Sequence, residues 1–142
     1  MSLCLDTSCL LKLLIAEPES EKVHVLVHGE PRVVISTLAE LEAEQQLRSQ
    51  FLGGTLSRRA YNRVSGFLAD LRRTPPFLHL IAPHDLAQIA REQIERSTAY
   101  CRTLDRLHLA AMETLGVQRL LTNDDSQAAA ARELGFGVVL PR

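Results

Sequence analysis

The stretch Leu3-Cys4-Leu5-Asp6-Thr7-Ser8-Cys9-Leu10-Leu11-Lys12-Leu13 decides how this chain is built. A short apolar run of strand character is broken by one aspartate, and an apolar helical pattern begins within two residues. A strand that passes straight into a helix is the opening of a βαβ unit. Asp6 therefore falls at the carboxyl end of a strand. It is a good N-cap for the next helix, but Thr7 and Ser8 beside it could cap equally well, so capping alone does not account for the acid.

The same alternation continues along the chain. Strands are predicted over 3–5, 33–35, 77–81, 120–121 and 138–140. Helices are predicted over 8–16, 19–27, 37–51, 85–97, 104–115 and 125–134, with a further one opened by Ser57 and running to about Arg73. Gly29, Gly53-Gly54, Gly116 and Gly135 punctuate the helix ends, as do Pro18, Pro31 and Pro75-Pro76. Strands alternating with helices indicate one α/β domain over 1–142, a parallel sheet with helices on both faces. In such sheets, sites gather at the carboxyl ends of the strands. Nothing suggests repeats, low complexity or a linker.

A length of 142 residues with 46% hydrophobic residues supports one real core and argues against disorder. Aromatic residues are only 4% and Trp is absent, so Leu, Val, Ile and Ala must fill that core. The net charge of −1 does not announce a nucleic-acid binder. The cations are unusual in kind, fourteen Arg against two Lys. Arg is the better bidentate phosphate ligand, although a coding bias accounts for the excess equally well. Cys4, Cys9 and Cys101 form no CxxC pair and read as small core residues in a reducing compartment. No HxxxH or Cys/His set points to zinc. The N-terminus lacks a signal-peptide pattern and no apolar run approaches a membrane span, so a cytoplasmic protein is expected.

The acids carry the chemistry. Only six of seventeen acidic residues are Asp, and four of those six occupy positions that need a reason. Asp105 is three, four and seven residues from His108, Leu109 and Met112, which places it on the apolar arc of its helix. The polar arc of that helix is narrow, holding Arg106 and Glu113. An unpaired carboxylate on an apolar face is expensive. Asp105 therefore needs a metal, His108, or an Arg such as Arg102. Asp124 and Asp125 follow the apolar run Arg119-Leu120-Leu121-Thr122; one suits an N-cap and the other is left free. Glu40, Glu42 and Glu44 crowd a single helix, and periodicity does not choose among them. His108 reads as packed core or a hydrogen-bond partner. Arg58, Arg59, Arg63, Arg72 and Arg73 face a single acid, Asp70, on one helix, which is either a phosphate-binding face or a solvated one. Two carboxylates ~4 Å apart repel by roughly 4 kcal/mol at an effective dielectric of about 20, so a folded acidic cluster needs a counter-ion, and a divalent cation is the usual one.

These residues resemble the PIN-domain ribonucleases, in particular the VapC-like toxins of bacterial toxin–antitoxin pairs. The resemblance covers nearly the whole chain. Leu5-Asp6-Thr7-Ser8 followed by an apolar helix looks like the family's opening. Ile35-Ser36-Thr37-Leu38-Ala39-Glu40-Leu41-Glu42 looks like its second motif, in which the acid lies six residues after Ser36 and five before Leu47, at Glu42. Leu104-Asp105-Arg106-Leu107-His108-Leu109-Ala110 is similar to the third, and Leu121-Thr122-Asn123-Asp124 to the fourth. The resemblance implies a three-layer α/β/α PIN-like fold with a parallel sheet of about five strands. It makes Asp6, Glu42, Asp105 and Asp124 the catalytic, metal-binding acids for Mg²⁺ or Mn²⁺. Glu40 or Glu44 could replace Glu42, and Asp125 could replace Asp124. Ser8 and Thr122 would be supporting hydroxyls. Arg58, Arg59, Arg63 and Arg102 are candidates for contact with RNA. The implied reaction is hydrolysis of RNA phosphodiester bonds, and the implied partners are a VapB-like antitoxin and a second copy of the chain.

Two other readings compete. Haloacid-dehalogenase-like phosphatases carry Asp-x-Asp after the first strand, but here the second acid is Ser8. Receiver domains need a late Lys, whereas Lys12 and Lys22 are both early. A PIN fold used for RNA or protein binding without catalysis is the non-enzymatic alternative.

Overall fold

The computed structural model describes residues 2–142. Five strands and seven helices follow in chain order: β1 (Leu3–Leu5), α1 (Thr7–Leu14), α2 (Ser20–His28), β2 (Val33–Ser36), α3 (Thr37–Leu52), α4 (Arg58–Leu71), β3 (Phe77–Leu80), α5 (Leu86–Arg96), α6 (Thr103–Leu115), β4 (Arg119–Leu121), α7 (Asp125–Glu133) and β5 (Gly137–Val139). The strands form one parallel sheet in the order β3-β2-β1-β4-β5. The central strands are mostly apolar, at Leu3–Leu5, 33–35 and 120–121, because helices cover both of their faces.

Side-chain alternation within those runs builds two cores at once. Leu3, Leu5, Val33, Ile35 and Leu121 pack with Leu10, Val23, Leu47 and Leu68, from α1 to α4, on one face. Cys4, Val34 and Leu120 pack with Leu109, Met112 and Ala130, from α6 and α7, on the other. By the same alternation, Asp6 and Thr122 continue the series of Cys4 and Leu120 beyond the strand ends. The small β-branched and aliphatic residues suffice for both layers, as the low aromatic content requires.

Caps set the helix starts. Ser36 Oγ accepts from the Ala39 amide at 3.2 Å to start α3, and Ser57 Oγ accepts from the Ala60 amide at 3.1 Å to start α4. Gly116 ends α6 in the left-handed region, φ 70°, where a Cβ would be strained. The elements agree with the sequence expectation to within one or two residues at each end. Helix α1 ends at Leu14 rather than residue 16, and α4 at Leu71 rather than about Arg73; at α1 the reason is local. There Ser20 Oγ donates to the Ile15 carbonyl at 3.0 Å and accepts from the Glu17 amide at 2.8 Å, so side-chain bonds replace the last helical turn.

Arg106 corrects one expectation. The sequence set it on the polar arc of α6, but it is buried, and its Nη2 donates to Ser97 Oγ at 3.1 Å and to the Ala99 carbonyl at 3.3 Å. The 97–102 turn folds back over α6 and buries that side of the helix, while the neighbouring Leu104 is half exposed. No helix among the described residues is long and apolar enough to cross a membrane.

Leu5 is fully buried at the centre of the sheet. Leu5→Ala is expected to cost about 2–5 kcal/mol in urea unfolding, whereas Leu41→Ala, at an exposed site of α3, should stay within about 0.5 kcal/mol. Equal small losses in both would show that the β1 layer is not the core.

Candidate active site

The order of strands reverses at β1. The chain builds outward from β1 to β2 and β3, then returns to add β4 and β5 on the opposite side. The crevice at such a switch point, beyond the carboxyl ends of the strands, is where open parallel sheets place their sites. Asp6 leaves β1 into this crevice, and Asp124 sits three residues beyond β4. A cleft of about 80 Å³ opens there, lined by Asp6, Thr7, Ser8, Glu42, Gln46, Arg102, Asp105, His108 and Asp124.

Backbone register fixes Asp6. Leu5 pairs with Leu121, and the Asp6 amide donates to the Leu121 carbonyl at 3.1 Å. That brings the fully buried Thr122 hydroxyl onto Asp6 Oδ2. Asp6 Oδ1 accepts from the Cys9 amide at 2.8 Å, capping α1, and Ser8 Oγ lies 3.0 Å from both carboxylate oxygens. The acid is therefore both a cap and a wall of the cleft, and its rotamer is held from two sides.

Asp124 divides its oxygens in the same way. Oδ1 accepts from the Gln127 amide at 3.0 Å, capping α7, while Oδ2 lies 3.5 Å from Arg102 Nη2. Asp125 turns out of the cleft to Arg142, 2.7 Å away, with its side chain 82% exposed. The three glutamates of α3 also separate. Glu42 reaches the cleft, where His108 Nε2 lies 3.0 Å from its Oε2. Glu40 is buried on the far side beside Arg72, with His79 Nε2 at 3.0 Å but out of line for a hydrogen bond. Glu44 borders a different pocket with Tyr61, Arg72 and Arg73.

Asp105 projects from the first turn of α6, nine-tenths buried, with Arg102 Nε 3.2 Å from its Oδ2. Of the three partners open to it from sequence, the arginine is the one in place. Burial raises the Asp105 carboxyl above its ordinary value, with Arg102 pulling the other way. The hydrogen bond from His108 holds the Glu42 carboxyl below its ordinary value. Cys4 lies in the apolar layer, where burial pushes its thiol up to about 12, so no thiolate is available beside Asp6.

Four carboxylates in one cleft are a hard-oxygen donor set, suited in chemistry to Mg²⁺ or Mn²⁺ rather than to zinc or copper. Among the described residues, no three His, Cys, Asp or Glu side chains are converged on one ion position. Arg102 lies against Asp105 and Asp124, and His108 against Glu42.

Arg102 alone of the four arginines expected near substrate borders the cleft; Arg58, Arg59 and Arg63 belong to α4, where Arg58 covers the Phe51 ring at 4.9 Å. Sequence reasoning passed over Gln46 and gave Thr7 only a capping role. Gln46 lies one helical turn after Glu42, a spacing that would have found it once Glu42 was chosen.

This combination defines an α/β domain with an acidic cleft at the carboxyl end of a parallel sheet. The PIN domain family model matches residues 3–133, and the chain belongs to that family. It is 33% identical over 142 residues to Ribonuclease VapC46 of Mycobacterium tuberculosis, covering 96% of this chain and 95% of that one. Among solved structures, Mycobacterium tuberculosis VapC20, described as a Sarcin-Ricin loop cleaving toxin, matches with a TM-score of 0.70 at 22% identity, covering 94% and 95% of the two chains. VapBC2 from Rickettsia felis, bound to a DNA fragment from its promoter, matches with a TM-score of 0.69 at 12% identity, covering 99% and 98%.

The raised Asp105 carboxyl makes a stability prediction. Its charged form is disfavoured in the folded protein, so the cost is absent in acid, grows as pH rises past the unfolded value, and is complete above the raised folded value. Asp105→Asn removes that cost and loses one ion pair, whose Arg102 side is three-quarters exposed and screened by solvent. In EDTA, the variant is expected to melt above wild type at about pH 7, with the gap closing by about pH 4. A wild type that melts higher at neutral pH in EDTA would contradict the assignment.

Proposed function

We propose that this protein is a metal-dependent endoribonuclease and the toxin of a toxin–antitoxin pair. The observation that carries the proposal is the meeting of Asp6, Glu42, Asp105 and Asp124, from four separate parts of the chain, in one cleft of a PIN domain. The 33% identity to Ribonuclease VapC46 supports RNA as the substrate.

The four carboxylates would hold Mg²⁺ or Mn²⁺. When bound there, such an ion would activate a water and offset charge on the scissile phosphate. Thr122 and Ser8 fix Asp6, and the α1 and α7 amides fix Asp6 and Asp124, so these acids meet an ion with little loss of side-chain freedom. His108 keeps Glu42 ionised and aimed into the cleft. Water adds to phosphorus, and the bond from phosphorus to one ribose oxygen breaks. Arg102 at the rim is the cation best placed to meet the polyanionic strand.

A VapB-like antitoxin is the natural partner; the likeness to the Rickettsia felis VapBC2 assembly supports it. We assign a homodimer as the working state. Ile94 and Tyr100 expose apolar surface around a cavity of about 410 Å³ between α5 and the turn before α6, which suits a second copy. Three buried, unpaired cysteines fit a cytoplasmic location.

Partner-free protein is expected to cut RNA with Mg²⁺ or Mn²⁺ and to stop in EDTA. Glu42→Gln should lower cutting by more than about 100-fold, beyond the loss typical of an outer partner. Glu44→Gln should cut normally, and Glu40→Gln should lower the melting temperature while retaining cutting. Full activity in Glu42→Gln would remove that residue from the site.

A further inference from the structure

We propose that Arg102 is an intramolecular counter-ion for Asp105 and Asp124, and that it must leave both before a divalent cation can bind. The inference rests on the metal-binding role proposed for those acids.

One guanidinium reaches two acids from different elements. Its Nε lies 3.2 Å from Asp105 Oδ2, and its Nη2 lies 3.5 Å from Asp124 Oδ2. Like charges drawn to one cleft require a cation, and the planar fork of Arg can serve two carboxylates at once. Arg102 is also free to go. Its side chain is 75% exposed, makes no capping bond to α6, and has no hydrogen-bond partner among the described residues beyond Asp105. The backbone around it is fixed, because the Arg102 carbonyl accepts from the Arg106 amide at 2.9 Å. Departure therefore needs only rotation about side-chain bonds. Exposed ion pairs are weak, so a divalent ion can displace this one.

The arrangement accounts for the absence of a converged ion position among the described residues. Asp105 Oδ2 and Asp124 Oδ2 are the oxygens that face Arg102. Asp124 Oδ1 is already occupied by the Gln127 amide, so Oδ2 is the oxygen in dispute. A closed state lowers apparent affinity by the fraction of molecules that are open.

The test is Mg²⁺ binding followed by calorimetry and by the arginine Nε–H signals of ¹⁵N-labelled protein. Arg102→Gln identifies the Arg102 signal by its loss. In wild type that signal should move with the same midpoint as the binding isotherm, while those of Arg72 and Arg119, paired away from the cleft, stay fixed. Arg102→Gln should bind Mg²⁺ roughly three- to tenfold more tightly. If wild type binds Mg²⁺ but its Arg102 signal is unmoved, or the variant binds no more tightly, the counter-ion role is wrong while the metal site stands. If neither protein binds Mg²⁺, the metal reading itself fails, and this inference fails with it.

Discussion

The pairing of β1 with β4 is the constraint on which the site depends. Leu5 opposite Leu121 sets the Asp6 amide on the Leu121 carbonyl and leaves Asp6 and Thr122 side by side beyond the last rung. A slip of one residue would turn Asp6 toward the other helical layer and separate it from Asp105 on α6. The register is secure because alternate residues of both strands are buried in different cores. Leu3 and Leu5 belong to one, and Cys4 and Leu120 to the other. Site geometry is thus held by apolar packing well away from the acids.

The second constraint is electrostatic. Folding gathers four carboxylates, and each is accommodated by a different device. Asp6 takes hydroxyl and amide donors, Asp124 caps α7, Glu42 leans on His108, and Asp105 is left with burial and Arg102. Asp105 has the fewest donors, and burial raises its carboxyl above the ordinary value. A site that disfavours its own charge in the free protein is one that gains from a bound cation.

Much of this was legible in the chain. Asp6 could be placed because a three-residue strand and an apolar helix leave it nowhere else to lie. Asp105 could be placed because helical spacing to His108, Leu109 and Met112 is unambiguous. The choice of Glu42 was not legible from periodicity. Glu40 and Glu42 both lie on the inward part of α3, and they differ in which neighbouring element they meet: α4 and β3 for Glu40, α6 for Glu42. That difference is tertiary. Arg106 misled for the same reason, since the turn that covers it has no periodic signal. The bridging of Asp105 and Asp124 by Arg102 depends on how α6 sits against the β4–α7 loop, which the pattern of apolar residues does not encode.

Anomalous diffraction from crystals soaked in Mn²⁺ is the most direct measurement of the central claim, that this cleft is a metal centre built by the sheet. The account predicts anomalous density in the cleft bounded by Asp6, Glu42, Asp105 and Asp124. Density confined to other surfaces of the protein, or none in that cleft at saturating Mn²⁺, would contradict it.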